Sequence, residues 1–212
     1  GRMFHLPPFA PPNNAVRDAL MELGSPGGIM DANDDLAAGP VALITDPNLQ
    51  LVNRNNPTHT AGVTFFGQFI DHDMTFDQRS RLGRPTQPII SQNARTCFFD
   101  LDSVYAGGPG GNPELFDPAD PIKFLIESGG QFEDLPRDPI DHVAIIGDPR
   151  NDENMIIAGL HAAFLLFHNH AVDLIRTQYP GIPDNDAYLQ AQRLTVWHYE
   201  WMILHEFLPH VV

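Results

Sequence analysis

Apolar residues of this 212-residue chain fall into a few stretches with helical spacing, separated by long segments that glycine and proline interrupt. From Met155 to about Arg176 the residues Ile156, Leu160, Phe164, Phe167, Ala171 and Leu174 share one stripe, and Tyr179, Pro180 and Gly181 end it. This predicts a long amphipathic helix. A closing helix starts with Asp184 or Asp186 as cap, places Trp197, Trp201, Leu204 and Leu208 on one face before Pro209, and runs almost to the last residue. Pro57 suits a first helical turn, followed at three- and four-residue spacing by Ala61, Thr64, Phe65, Gln68, Phe69 and His72 up to about Phe76. A shorter helix near Ala15 to Leu23 stops at Gly24.

The remainder carries most of the 20 prolines and 17 glycines. Residues 1–13, with Pro7, Pro8, Pro11 and Pro12, read as an extended surface arm, and residues 25–55 as mostly loop with short apolar pieces such as Val41 to Ile44. Between Asp77 and Arg150 only Cys97 to Tyr105 and Ile122 to Glu127 look locally ordered. A stretch this long without regular structure needs a functional reason. Strands are barely visible and there is no internal repeat, so the expected fold is mainly α, a helical scaffold with long ordered loops. Residues 1–56 are an arm with loops, and 57–212 form the helical domain.

Composition narrows the function. An apolar content of 42% is that of a globular core, which excludes disorder along the whole chain. The net charge is −15, and eleven of the twelve basic residues are Arg, Lys123 being the exception; with no basic run, nucleic acid is excluded as a partner. Cys97 is the single cysteine, so packing, a cofactor or a metal must hold the fold rather than an internal disulfide. No segment approaches the roughly 18 uninterrupted apolar residues of a membrane span, and Gly1 to Leu6 has no signal-peptide core. The chain is expected to be soluble. Pro57 spoils the glycosylation signal Asn56-Pro57-Thr58.

One helix is unusual. Gly67-Gln68-Phe69-Ile70-Asp71-His72-Asp73 sets an amide, an imidazole and two carboxylates among apolar and small residues. Gln68 and His72 stand four apart and share a face, Asp71 borders it, and Asp73 points about 100° away from His72. Burying such groups without partners costs roughly 1–3 kcal/mol each, so hydrogen bonds, a ligand or a metal must satisfy them. An isolated histidine here reads as a core residue; four convergent polar groups read as a site.

The segment Gln-x-x-Asp-His-Asp at 68 to 73 resembles the distal helix of the animal-type haem peroxidases, the myeloperoxidase and lactoperoxidase group of the peroxidase-cyclooxygenase superfamily. The resemblance implies a haem-peroxidase-like helical fold. It makes His72 the distal base, Gln68 a holder of distal water or halide, Asp71 a carboxylate that can be esterified to a haem methyl, and Asp73 a calcium ligand.

Thr96, Phe98, Asp100 and Asp102 alternate along an extended segment, so that Thr96, Asp100 and Asp102 can aim oxygens to one side. Calcium takes six to eight such oxygens. The segment through Val104-Tyr105 looks like the family's calcium loop, which implies hydroxyl and carbonyl ligation by Thr96, carbonyl ligation by Phe98, and carboxylates from Asp100, Asp102 and Asp73. Many relatives have Ser where this chain has Asp102, with Ser103 one place later. The other acidic candidate, Asp31, Asn33 and Asp35, fails as an EF-hand because Leu36 and Ala42 occupy the positions that need Gly and Glu.

Gly147-Asp148-Pro149-Arg150-Asn151-Asp152-Glu153-Asn154 leads into the long helix, where acidic residues suit the helix N-terminus on structural grounds alone. By resemblance Arg150 matches the catalytic distal arginine, Glu153 the second haem-ester carboxylate, and His168-Asn169 the family's His-Asn pair, with His168 structural. Asn154 stands where myeloperoxidase has a methionine bonded to the haem vinyl, so that third link is expected to be absent. Peroxide cleavage needs a base that moves a proton between the two oxygens and a fixed cation beside the developing charge. His72 and Arg150 match those roles, and a neutral imidazole can accept and return a proton in one turnover.

The resemblance covers roughly residues 57 to 212 and implies haem b, with possible ester links, and calcium as cofactors. It implies hydrogen peroxide as oxidant, a halide, thiocyanate or small organic donor as reductant, and export from the cell. Arg2-Met3-Phe4-His5 is the chain's one Arg-x-x-His and lies ahead of the distal segment, whereas the family's proximal motif follows it, so a second chain or fragment is expected to supply the proximal histidine. His198, His205 and His210 of the last helix are not assigned to iron. His205-Glu206-x-x-x-His210 is one residue too long for a zinc His-Glu-x-x-His pair and contains Pro209. The alternatives are a fatty-acid dioxygenase of the same superfamily and a non-catalytic calcium-bound adhesion module. Intact Gln68, His72 and Arg150 argue against the module.

Overall fold

A computed structural model describes residues 7, 9–49, 59–81, 84, 86, 87, 90–128 and 132–212. Contacts divide the chain between Thr60 and Ala61 into two compact units. In the first, α1 (Asn14–Gly24) begins at Asn13, whose side-chain oxygen accepts the Val16 amide at 2.9 Å. The apolar piece at 41–44 is helical rather than loop: it lies in α2 (Pro40–Thr45), with proline in the first turn, where no N–H partner is needed. Much of the expected arm, and Pro57, lie outside the described residues.

The second unit holds α3 (Ala61–Met74), α4 (Asp102–Tyr105), α5 (Gly108–Gly111), the antiparallel pair β1 (Phe116–Asp117) and β2 (Asp120–Phe124), α6 (Met155–Gln178), α7 (Asp184–Met202) and α8 (Leu208–Val211). Phe69 of α3 stacks on Phe164 of α6 at 5.2 Å, and Tyr199 of α7 meets both rings edge-on at 6.2 and 5.6 Å. All three are buried. This aromatic junction joins the three helices that carry the site.

Two apolar stripes differ from expectation. On α6 the buried face is Ile157, Ala158, His161, Ala162, Phe164, Leu165, His168, Ala171, Val172 and Ile175, while Ile156, Phe167 and Leu174 are exposed. Two fully buried histidines occupy the core face, so a reading that scores imidazole as polar rotates the stripe away from it. The α6 helix is long and apolar enough to cross a membrane by composition, but half of that window is packed in the interior, as in the core helix of a globular domain. On α7 the face with Trp197, Trp201 and Leu204 is more than half exposed, and Ala187, Tyr188, Ala191, Thr195 and Tyr199 face inward.

The closing helix is also not uniform. Pro209 has no N–H for the carbonyl of His205, and its ring crowds that carbonyl. The chain answers with a widened π turn at Ile203–Phe207, closed by the Leu208 amide on the Ile203 carbonyl. Phe207 of this turn lies against Gly67 of α3, where a Cβ would stand 3.0 Å from the ring. A larger residue there would have to push the Phe207 ring away by a few tenths of an ångström.

The His-Asn pair fastens the hairpin to α6. His168 accepts from the Tyr105 hydroxyl at 2.9 Å and donates to the Ile122 carbonyl at 3.0 Å, and Asn169 bridges both main-chain groups of Phe124 at 2.7 and 2.9 Å. Burial pushes the His168 imidazole down to about 4, so it stays neutral and keeps one acceptor and one donor nitrogen.

Candidate active site

The α3 helix forms because Phe66, Phe69, Ile70 and Asp73 recur at the 3.6-residue period, which seats a carboxylate on the apolar face. Asp73 is fully buried. Its Oδ2 accepts the Leu101 amide at 3.1 Å, and its Oδ1 the Ser103 amide and hydroxyl, each at 3.4 Å. Leu101 holds a left-handed backbone (φ +57°) that an L side chain rarely adopts, a local cost that burial of its side chain and the Asp73 bond offset. That kink turns the start of α4 toward α3.

Oxygens of Asp73, Asp100 and Asp102 lie within 4.8 Å of one another. Thr96 joins the group, donating its hydroxyl to Asp100 at 2.8 and 2.9 Å and its amide to Asp102 at 3.0 Å. The Phe98 side chain is exposed. Burial first, and the neighbouring Asp102 and Asp100 charges in support, raise the Asp73 carboxyl to about 6 against the pull of the two amide bonds. Asp102 is raised as well, again mainly by burial. Among the described residues Asp102 Oδ1 is buried without a hydrogen bond, and burial first, with the Asp73 charge in support, pushes the Tyr199 hydroxyl far above its ordinary range. Three crowded carboxylates and a threonine hydroxyl are donors of the kind a hard divalent cation takes.

The second element enters at Gly147, where a Cβ would come within 2.7 Å of the Ser103 carbonyl. Only glycine lets this strand pass α4. Arg137 clamps the following 3-10 turn, Pro149–Asp152, with two bonds to Asp152 at 2.7 and 2.8 Å. Asn154 caps α6, its side-chain oxygen accepting the Ile156 and Ile157 amides at 3.1 Å.

Three of the expected residues meet. Gln68 Nε2 donates to Glu153 Oε2 at 2.9 Å, and His72 Nε2 lies 4.0 Å from the same oxygen. Glu153 is half exposed and His72 nearly buried. Asp71 does not join them: it is exposed, and its carboxylate accepts the Thr75 hydroxyl at 3.1 Å. Arg150 contacts the main chain of α3 rather than the imidazole, donating Nη2 to the carbonyls of His72 at 2.9 Å and Thr75 at 2.6 Å. Asp148 holds its Nε and Nη2 at 3.1 and 2.8 Å, and the Phe76 ring lies 4.6 Å from the guanidinium carbon.

Four groups carry the site without having been assigned a role from sequence. Asp148, fully buried, also binds Arg95 Nη2, and Arg95 Nε lies 3.7 Å from Asp102. Burial alone raises Asp148, but its bonds from Arg150 and Arg95 outweigh it and hold the carboxyl below the ordinary range. Asn151 and His161 are fully buried behind His72, with Asn151 Oδ1 2.9 Å from His72 Nδ1. The available signal was the spacing of His161 and His168, seven residues apart on one helix face.

Residues 91–212, more than half of the chain, match the family profile described as animal haem peroxidase. Thr96 to Asp102, Arg150 and Glu153 fall inside that match, and Gln68 to Asp73 precede it. Dual oxidase of Drosophila melanogaster is 29% identical over 69 residues, 32% of this chain and 4% of that protein. The fatty acid alpha-dioxygenase of Oryza sativa superposes with a TM-score of 0.52 at 21% identity, over 65% of this chain and 26% of that one. A variant of it solved with palmitic acid gives 0.53 at 20% identity, over 67% and 27%. The chain spans about a quarter of those structures, and the likeness bears out the mainly α fold.

Proposed function

The chain belongs to the animal haem peroxidase family, and from that premise we propose that its second unit is the distal wall of a haem site that reduces hydrogen peroxide and oxidises a halide, thiocyanate or small organic donor. The observation that carries this reading is the meeting of Gln68 and His72 of α3 with Glu153, which lies just before α6 and 85 residues beyond Gln68. Their chemistry suits haem: an imidazole with Nε2 open, an amide, and a half-exposed carboxylate able to form an ester. Asp71, exposed on the same helix, is the other proposed ester carboxylate.

Haem, when bound, supplies the redox centre at which peroxide is reduced. His72 takes the peroxide proton at Nε2 and returns it to the departing oxygen. Arg150, fixed by Asp148 and two carbonyls, needs no reorganisation to hold its positive charge beside that step. Gln68 holds water or halide. Asp73, Asp100, Asp102 and Thr96, with the Phe98 carbonyl, bind calcium and anchor the helix that carries His72. The protein works outside the cell.

The test is the haem-loaded protein, which should show a Soret band and turn over peroxide. His72→Ala should keep the band and lose about 10²- to 10⁴-fold in turnover; equal turnover by the variant overturns the reading. The fold likeness to fatty acid alpha-dioxygenase favours a second reading, oxygenation of a fatty acid. Oxygen uptake with palmitic acid in place of peroxide turnover selects it. Calcium binding without haem selects the non-catalytic module.

A further inference from the structure

Behind His72 stands a buried row of polar groups that nothing in the proposed reaction uses. His72 Nδ1 lies 2.9 Å from Asn151 Oδ1, and Asn151 Nδ2 lies 2.9 Å from His161 Nδ1. The three side chains are 4%, 0% and 0% exposed. They come from three separate elements: α3, the 3-10 turn Pro149–Asp152, and the second turn of α6. The row ends at His161 Nε2, buried beside the Phe69 ring with no hydrogen-bond partner among the described residues.

With the Asn151 amide as placed, Oδ1 toward His72 and Nδ2 toward His161, the donor and acceptor inventory leaves one arrangement. A carboxamide oxygen can only accept, so the hydrogen between Asn151 Oδ1 and His72 must sit on His72 Nδ1. A carboxamide nitrogen can only donate, so His161 Nδ1 must be bare. His161 is held neutral by complete burial, which pushes it down to about 3, and its one proton is therefore on Nε2. A histidine's free nitrogen is set by the bond its other nitrogen makes.

We propose that Asn151, itself oriented by His161, is the positioning residue that fixes His72 as the Nδ1–H tautomer and turns a bare Nε2 toward Gln68 and Glu153. This rests on the reading of His72 as the distal base only for its consequence; the tautomer itself is a property of the protein without haem. Of the two neutral forms of His72, one has Nε2 free to take a proton and the other has it blocked. Asn151 selects the first. The amide does so without carrying charge into a fully buried position, where a carboxylate would be costly.

The experiment is histidine-selective ¹⁵N labelling of the whole chain, with ring nitrogens assigned by long-range ¹H–¹⁵N correlation. Wild type should show His72 protonated at Nδ1 and bare at Nε2, and His161 the reverse. Asn151→Asp offers two acceptors, so His72 should keep its Nδ1 proton while His161 gains one at Nδ1. Asn151→Leu, of similar volume, should release His72 into a mixture of both forms. In the haem-loaded protein it should slow the peroxide step about tenfold, the equivalent of one hydrogen bond, with Asn151→Asp restoring it. A wild-type His72 protonated at Nε2, or an Asn151→Leu spectrum still showing only the Nδ1–H form, overturns the proposal. If the spectra agree but the loaded wild type leaves peroxide untouched, the peroxidase reading fails and the tautomer assignment stands.

Discussion

Asp148→Asn tests how much of the second unit depends on one buried charge. The carboxylate is fully buried and takes bonds from Arg95 Nη2, from Arg150 Nε and Nη2, and from the Arg150 amide at 2.9 Å. Asparagine keeps the shape but removes the charge and sets an N–H₂ against guanidinium donors. The two arginines, only 11% and 21% exposed at the side chain, then lose their shared counter-charge where water cannot replace it. Breaking a buried pair by neutralising one partner costs about 3–5 kcal/mol. With a urea slope of about 2 kcal/mol/M for a small domain, the midpoint should fall by about 2 M. Urea unfolding at pH 7, followed by tryptophan fluorescence, measures it directly. A shift below about 0.5 M, equivalent to about 1 kcal/mol, would show that Asp148 is an incidental contact and refute the clamp.

Two further outcomes follow from the buried ionisable groups. His161 and His168, with ordinary values of 6.5, are pushed down to about 3 and about 4. Their contribution is therefore complete above pH 6.5 and is lost as pH falls toward 4, because the unfolded chain binds protons there and the folded one does not. Asp73, raised to about 6, and Asp102, also raised by burial, act oppositely in that window, but the two imidazoles are moved further than Asp73 and the low-held Asp148 acts with them. Urea midpoints should therefore rise between pH 4 and 6.5, and a flat or falling profile would contradict the burial of these rings. Calcium should raise the thermal midpoint, more at pH 7 than at pH 5, because Asp73 must lose its proton to bind; at a hundredfold excess over Kd the gain is about 2.7 kcal/mol. Asp73→Asn should abolish that response, and an unchanged response in differential scanning calorimetry would place the ion elsewhere.

The helices were legible in the sequence because their stops are local chemistry. Tyr-Pro-Gly ends α6 where the sequence predicts it, whereas the Asn154 cap was not read from sequence and α7 has Pro183 at its N-cap, with no side-chain cap, in place of the expected Asp184 or Asp186. The inward faces were less legible. His161 and His168 lie in the core because each finds a partner from a distant segment, and no window of hydrophobicity contains that information. The same limit applies to the site. The shared face of Gln68 and His72 follows from helical spacing, but their approach to Glu153 depends on how α6 crosses α3 through Phe69 and Phe164. Asp148 and Asn151 stood unassigned between Arg150 and its neighbours because their roles exist only once Arg95 and His161 arrive. The exposed position of Asp71 was equally hidden, since adjacent residues on a helix point about 100° apart.

The cation loop and the arginine are parts of one electrostatic arrangement. Asp73 and His72 are neighbours on α3, so whatever fixes the carboxylate fixes the helix turn that aims the imidazole. A second route runs through charge. Arg95 lies between Asp102 and Asp148, and Asp148 is shared with Arg150. Asp73, Asp100 and Asp102 repel one another. A divalent ion bound at the loop would offset that charge and leave Arg95 to Asp148, weakening the hold of Asp148 on Arg150. Such an ion would act on both proposed catalytic groups at once, one through the α3 backbone and the other through a row of alternating charges.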